Sequence, residues 1–381
     1  MRLATVILAV LALAGSVRAA ATNARIAYVH DGELIVLDVA TGASRVVMRN
    51  APEGPVAWSG DGRLVSDGGR IANGPRLPAQ QLAWAQEGET AAYLSRPNGG
   101  AVRLWTPQGG SRTILPASWG ARSLAWGPGG RLAIGRKVAP FNTPHPHEEV
   151  WVWQAGALRR VVGPITVDTT PIVEGFAPDG AVLWWNDLDD SASIAADGLT
   201  LFANRTPLAK TLVFADFVHV CGAYLVYAKG VDRYTTRGKS IVYDGRDVSH
   251  DTTLSWVSPS CGDGEVVASA GRNYAEPRIG SGELRSIWEL VPARKRLTHP
   301  PTGWTDEDPT VLPDGSVVFV RTRETFSGSE TTTLHASLDV WSGGSVKPLA
   351  SLTTTVDETT STWTPNYFGH YGWPSIVAVA P

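Results

Sequence analysis

Cysteine, methionine and charge are all scarce in this sequence. Its 381 residues include 2 Cys, 2 Met and 18% charged residues, whereas soluble domains usually carry roughly 25% charged residues. Two cysteines exclude a scaffold of several disulfides and a zinc site of four thiolates. The net charge of −3 lacks the basic surplus of nucleic-acid-binding proteins, and the basic run at 294–296 has no interleaved aromatic residue. We therefore expect no nucleic-acid partner.

Long apolar runs are also missing beyond the N-terminus. Met1 and Arg2 precede a short apolar run at 3–14, and Val17 and Ala19 then form a small-residue cleavage pattern. This layout is typical of a secretory signal peptide, and the run is too short to span a bilayer. The alternative is a buried N-terminal helix. We expect a signal peptide at 1–19 and an exported, periplasmic or extracellular protein without a membrane span.

Glycine, proline and tryptophan are abundant, with 40, 26 and 15 copies. So much Gly and Pro favours turns over long helices. A short pattern recurs, in which an apolar pair and an aromatic residue precede a turn of Gly, Asp or Pro. The aromatic position of this repeat falls at residues 58, 84, 126, 176, 220, 256, 311 and 363, with Val at 220 and 311. The mean step is about 44 residues, the length of a four-stranded propeller blade.

The repeat predicts an all-β fold, a β-propeller of four-stranded antiparallel blades in one domain at 20–381. Eight aromatic positions predict eight blades, of which the one from Trp58 to Trp84 would be minimal, or seven if this short repeat joins a neighbour. We expect most tryptophans to pack between blades. Residues 24–48 lack a first strand, while 361–364 and 374–380 both read as strands. The two termini are therefore expected to share one blade and close the ring.

The segment from 295 to 320 contains Arg-Leu-Thr at 296–298, acidic residues at 306–308, the turn Pro-Asp-Gly at 313–315 and an apolar strand after it. This pattern resembles the repeat of TolB-like, WD-repeat-like β-propellers. Val311 and Leu312 replace the Trp and Ser of the family pattern. The resemblance implies blades whose loops and central channel face partners, often six blades in number. The spacing in this chain favours more.

Metal ligands are suggested at two places. His145 and His147 lie beside two glutamates in a predicted hairpin loop at 136–149, but two histidines are too few for a zinc site without partners from elsewhere. The acidic group at 187–190 resembles a calcium loop only loosely, because position twelve is Gly198 instead of Glu. A solvated loop is the alternative for both. We predict no metal and no cofactor, with His145 and His147 as the candidates to test.

Catalytic motifs are hard to find. The chain has no Gly-x-Ser-x-Gly elbow, and a propeller leaves no residues for an α/β-hydrolase domain. A glycosidase needs a pair of carboxylates about 5 to 10 Å apart. The acids Asp306, Glu307 and Asp308 are expected instead to hydrogen-bond turns between blades. We predict no catalytic residue.

The two cysteines, Cys221 and Cys261, are separated by nearly one repeat, and each follows the first strand of its blade. Equivalent turns of neighbouring blades lie side by side, and an exported chain meets an oxidising compartment. The spacing predicts a disulfide that joins two blades. Two buried thiols are the alternative.

These observations favour a non-catalytic, monomeric protein that binds or scaffolds another protein or a cell-envelope polymer. An alternative is an enzyme at the channel mouth, a hydrolase or lyase acting on sugars or lactones. A third is a metal-dependent module that uses His145 and His147. Inward-pointing His, Asp and Glu from several blades at one channel mouth would favour an enzyme, whereas a channel of Ser, Thr and apolar groups would favour binding.

Overall fold

Eight antiparallel sheets follow one another in this computed structural model, and we call them blades 1 to 8 in chain order. The structure describes residues 24–51, 56–79, 81–96, 100–138, 147–165, 169–188, 199–211, 218–230, 239–262, 264–272, 284–326, 331–357 and 377–381. Among these residues the only helical segments are two 3-10 turns, Ala117–Trp119 and Pro128–Gly130. The predicted all-β class and the count of eight blades are confirmed.

The first four blades contain these strands: β1 (Arg25–His30), β2 (Glu33–Asp38) and β3 (Ser44–Arg49) with β32 (Val377–Val379) in blade 1; β4 (Val56–Trp58), β5 (Val65–Asp67) and β6 (Arg70–Ile71) in blade 2; β7 (Gln81–Trp84), β8 (Ala91–Leu94), β9 (Val102–Thr106) and β10 (Gly110–Leu115) in blade 3; β11 (Ala121–Gly127), β12 (Arg131–Val138), β13 (His147–Gln154) and β14 (Ala157–Ile165) in blade 4.

The last four blades contain these strands: β15 (Thr169–Phe176), β16 (Val182–Leu188), β17 (Leu199–Ala203) and β18 (Thr206–Thr211) in blade 5; β19 (Val218–Cys221), β20 (Tyr224–Lys229), β21 (Ser240–Tyr243) and β22 (Arg246–Asp247) in blade 6; β23 (Leu254–Cys261), β24 (Val266–Arg272), β25 (Ser286–Val291) and β26 (Lys295–Arg296) in blade 7; β27 (Thr305–Val311), β28 (Val317–Phe326), β29 (Thr331–Ser342), β30 (Ser345–Ser351) and β31 (Thr354–Asp357) in blade 8.

Apolar side chains between successive blades hold the ring together. Each of eight buried clusters draws its residues from two neighbouring blades, including the pair formed by blades 8 and 1. Trp58, Trp84 and Trp126 are all buried in such clusters. Their packing role follows from the fact that a single sheet cannot bury both of its apolar faces.

The chain termini close the ring in blade 1, as predicted. The strand β32 pairs antiparallel with β1, so that Val379 lies opposite Ile26 and Val377 opposite Tyr28. This strand lies within the predicted segment 374–380, whereas the other candidate, 361–364, falls outside the described residues. Blade 1 thus combines strands from both ends of the chain, and β1 has no unpaired edge at the seam.

The aromatic position of the repeat ends its strand in blades 2, 3, 5 and 8 and lies one residue before the end in blades 4 and 6, but blade 7 differs. Trp58, Trp84 and Phe176 are the last residues of their first strands. Trp256 instead lies in the middle of β23 opposite Ala270, and that strand reaches its turn only at Cys261, opposite Val266. The assignment of Trp256 to the repeat position is therefore wrong, because β23 continues for five residues beyond it.

A disulfide joins Cys221 and Cys261, which are the last residues of β19 and β23. Their Cα atoms are 5.9 Å apart, within the usual range for a disulfide. The bond connects blades 6 and 7 at the turn-face ends of their first strands. The predicted pairing is thus present in the structure.

Candidate functional site

The two faces of the ring differ in their connections. In an up-and-down blade, the turns after the first and third strands lie on one face, which we call the turn face. The other connections lie on the opposite face, the loop face. Turn-face connections include 155–156, 204–205 and 222–223, whereas at the loop face β16 and β24 end ten or more residues before β17 and β25 begin. The loop face therefore offers most of the chain that is not needed for the sheets.

First strands of neighbouring blades contact each other around the ring axis. Between them, in blades 6 to 8, lies a cavity of about 40 Å³ whose polar lining includes His219, Ser258 and Asp308. This volume holds one or two water molecules and falls far below the ~300 Å³ of a typical ligand pocket.

Two β-bulges place Ser258 and Asp308 at this cavity. Both residues have positive φ, at 47° and 51°, and both precede a proline, Pro259 or Pro309. The pairing of each first strand shifts register at these positions, as expected for bulges, which re-aim side chains. The Ser258 hydroxyl donates to Asp308 Oδ1 over 2.7 Å. The two bulges therefore connect blades 7 and 8.

Other polar side chains form hydrogen bonds with backbone groups at the inner edges of the first strands. The Gln81 amide accepts from the backbone N–H of Leu124 and donates to its carbonyl. The Ser123 hydroxyl donates to the carbonyl of Pro171 over 2.6 Å. These bonds occupy backbone groups that a sheet edge would otherwise expose. Much of the polar lining at the axis is thus used to connect blades.

Arg122 occupies another register shift, on β11 of blade 4. Burial lowers the pKa of its guanidinium, and its Nε atom is buried without a hydrogen-bond partner in the described structure. Glu174 lies at the corresponding register shift on β15. Sequence reasoning missed both residues, because a bulge leaves no distinct pattern in an alternating strand.

Glu149 is a buried carboxylate on blade 4 that has three hydrogen-bond donors. Its carboxylate accepts from Arg160 Nη1 at 2.8 Å, Trp151 Nε1 at 2.8 Å and Arg136 Nη1 at 2.7 Å. Burial alone would raise the pKa of Glu149, but these three donors outweigh it and the pKa is lowered. Glu149 therefore stays ionised and anchors the loop-face end of the blade.

Asp306 and Glu307 form a second buried charged group, between blades 7 and 8. Arg321 binds Asp306 through both carboxylate oxygens, at 2.7 and 2.9 Å. Arg285 Nη1 lies 3.1 Å from Glu307 Oε1. Burial raises the pKa of Asp306, and the bonds from Arg321 offset only part of that effect. These acids lie in β27, so their expected place in turns is wrong, because arginines from other strands make their burial tolerable.

The candidate metal ligands are not gathered into a site in the described structure. His147 begins β13, with Nε2 at 3.7 Å from Glu149 Oε1, while His145 lies outside the described residues. Asp187 lies in β16, and the rest of the acidic group after Leu188 falls outside them as well. No cluster of three His, Cys, Asp or Glu that suits a metal occurs in the described ranges.

No protein-family model and no curated protein matches the sequence. Several solved structures are similar in fold at low identity. Pyrococcus horikoshii acylaminoacyl peptidase is 10% identical with a TM-score of 0.43, over 86% of this chain and 52% of that one. TolB from Acinetobacter baumannii is 14% identical with a TM-score of 0.31, over 85% and 65%.

A gluconolactonase from Xanthomonas campestris is 12% identical with a TM-score of 0.29, over 71% of this chain and 73% of that one. This chain spans about half the length of the peptidase. The similar structures thus include enzymes as well as TolB. At these scores the likenesses assign no activity.

Proposed function

We propose that the protein is an exported, non-catalytic scaffold that binds a protein or a cell-envelope polymer through its loop face. The contrast between the two faces carries this proposal. Tight turns close one face, while at the other face the second strands β12, β16 and β24 end eight or more residues before the third strands begin. Loops on a rigid β-scaffold are a common place for recognition.

The use of the charged groups supports binding over catalysis. Glu149, Asp306 and Glu307 are each held by arginine, which does not suit the paired carboxylates of a glycosidase. The described acids therefore contribute more to the ring than to chemistry.

Export is supported by the disulfide between Cys221 and Cys261, since such bonds persist in oxidising compartments. Among the described residues no helix is long and apolar enough to cross a membrane. We expect the secreted protein to begin between residues 20 and 22 on N-terminal sequencing. A cytoplasmic protein that keeps Met1 would contradict export.

The binding proposal is tested by capture from envelope extract with immobilised mature protein. One variant replaces loop-face residues 189–198 by a Gly/Ser linker of equal length. The control variant changes Gln108, in a turn-face connection, to Ala. We expect the same identified protein or polymer in repeated wild-type and control captures, and its loss or marked reduction in the loop variant. Equal capture by all three would contradict a loop-face site.

A second candidate, an enzyme at the axis, is favoured by one observation. His219, Ser258 and Asp308 share the axial cavity, and Ser, His and Asp are the residue types of hydrolase triads. The test is turnover of model lactones and sugar esters by wild type and Ser258→Ala. Turnover that Ser258→Ala abolishes would replace the binding proposal, which predicts no turnover in either protein.

A further inference from the structure

Blade 2 leaves a gap in the outer wall of the ring. Its third strand, β6, has only two residues, and its fourth strand is reduced to a single bridge between Arg70 and Arg76. The outer strand β3 of blade 1 has six residues and extends past these short elements. Between them lies a hollow of about 480 Å³, lined by residues 47–49 and 70–76 except Ala72.

Three arginines line this hollow, namely Arg49, Arg70 and Arg76, and no acidic residue does. Arg70 and Arg76 lie directly opposite each other across the bridge, where like charges are destabilising. A guanidinium N–H of Arg70 donates to the backbone carbonyl of Asn50, which fixes one side of that group. The arrangement concentrates positive charge in a chain whose net charge is −3.

The nearby carboxylates do not line the hollow. Asp67 is the strand partner of Arg70, but it is fully buried and does not line the hollow. Glu33 reaches Arg49 only at 3.9 Å, and the Arg49 side chain is 80% exposed. Arg76 is exposed and makes no ion pair in the described structure. Its donors therefore remain available to a ligand.

We propose that this hollow binds a phosphate-type oxyanion. Guanidinium groups bind two oxygens of one phosphate through parallel N–H donors, and an anion between Arg70 and Arg76 would relieve their repulsion. The amide of Asn73 adds a further polar group to the lining. Carboxylates share part of this chemistry, but three arginines around one hollow favour the more highly charged group.

The position of the hollow connects it to the proposed function, on which this inference rests. Arg49 ends β3 and Arg70 begins β6, both towards the loop face. In blades 1 and 2 the loop-face turns after β1 and β5 consist of residues 31–32 and 68–69, so the approach is open. The hollow thus offers a site for phosphate groups of an envelope polymer bound to the same face.

The test is calorimetric titration of the mature protein with pyrophosphate, and separately with a polyphosphate of defined length as a polymer probe. The variants are Arg70→Gln and Arg76→Gln. The matched control is Arg159→Gln, which changes an exposed arginine on β14 of blade 4. We expect saturable 1:1 binding of pyrophosphate by wild type and control, weakened about tenfold or more in either hollow variant.

A second measurement distinguishes a loss of binding from poor folding of a variant. Pyrophosphate should raise the melting temperature of wild type and of Arg159→Gln, but not that of Arg76→Gln. Equal binding by Arg76→Gln and wild type, or no binding at millimolar pyrophosphate, would overturn the inference. Tighter binding of polyphosphate than pyrophosphate would identify a polymer as the source, whereas equal affinity would identify the free anion.

The proposed function and this inference can fail separately. Envelope capture that depends on 189–198 while pyrophosphate does not bind would remove only the anion site. Pyrophosphate binding that depends on Arg76, without any envelope capture, would remove only the envelope partner. The two experiments can therefore contradict one proposal without contradicting the other.

Discussion

Glu149 in blade 4 and Asp306 in blade 8 are both buried carboxylates bound by arginine, yet their pKa values move in opposite directions. Glu149 accepts from two guanidinium groups and an indole. Asp306 accepts from one guanidinium, that of Arg321, and from the Thr298 side chain. Arg321 also lies 3.4 Å from the carboxylate of Asp339.

The difference shows how burial and pairing compete. Burial penalises both charged carboxylates, and only enough donors reverse that penalty. Glu149 has those donors, while Asp306 shares one arginine with another acid. A buried carboxylate of the second kind depends on its one cationic partner. The two groups should therefore respond differently to mutation and to pH.

The largest effect is expected from Arg321→Met. This change leaves Asp306, which has no solvent exposure, next to Asp339 without a cation between them. We expect a loss of about 3 to 5 kcal/mol in the free energy of unfolding, as for other broken buried pairs. Urea denaturation at pH 7 measures it, with Arg159→Met as a control. A loss below about 1 kcal/mol would show that the pair is not coupled to folding.

Glu149→Gln should cost less, about 2 kcal/mol, which is typical of hydrogen bonds to charged groups. Arg160, whose side chain is 47% exposed, can turn to water, and the glutamine still accepts one bond. The same urea experiment measures this change. An effect larger than that of Arg321→Met would reverse the ranking of the two groups.

The sequence predicted the ring better than these charged groups, for physical reasons. Blades follow from alternating apolar runs and turns, which are local, and the disulfide follows from repeat spacing. The acids at 306–308 look like residues that hydrogen-bond a turn between blades, because the arginine partners of Asp306 and Glu307 lie on other strands. Their proximity exists only after the sheets have formed.

The hollow at blade 2 could be predicted from the sequence only in part. The short repeat from Trp58 to Trp84 predicted a minimal blade, and the structure has one. The meeting of Arg49, Arg70 and Arg76 could not be predicted, because it depends on how far β3 extends beyond its shortened neighbour. A repeat gives the number of blades but not the gaps between them.

The pH dependence of the unfolding free energy should also differ between Glu149 and Asp306, because their pKa values shift in opposite directions. The pKa of Glu149 lies below its ordinary value of 4.5, so its contribution to stability is present above that pH and is lost as the pH falls through the lowered pKa. The pKa of Asp306 lies above its ordinary value of 3.8. Its contribution is therefore present below pH 3.8 and is lost as the pH rises through the raised pKa.

We accordingly expect Glu149→Gln to lose less stability than wild type between pH 6 and about 3.5, and Asp306→Asn to lose more. Urea denaturation across that pH range gives both slopes. Parallel curves for the three proteins would show that neither carboxylate has a shifted pKa in the folded state.

The smallest effect is expected from His147→Ala, and from the double change that adds His145→Ala. His147 lies 3.7 Å from Glu149 Oε1, but that carboxylate already has three donors, so the imidazole adds little. The free energy of unfolding should change by less than about 0.5 kcal/mol, as for most substitutions away from core packing and buried charge networks. Thermal and urea denaturation with and without a chelator provide the measurement. A large loss in the double variant that chelator reproduces in wild type would mean that the histidines hold a metal, and that Glu149 serves it too.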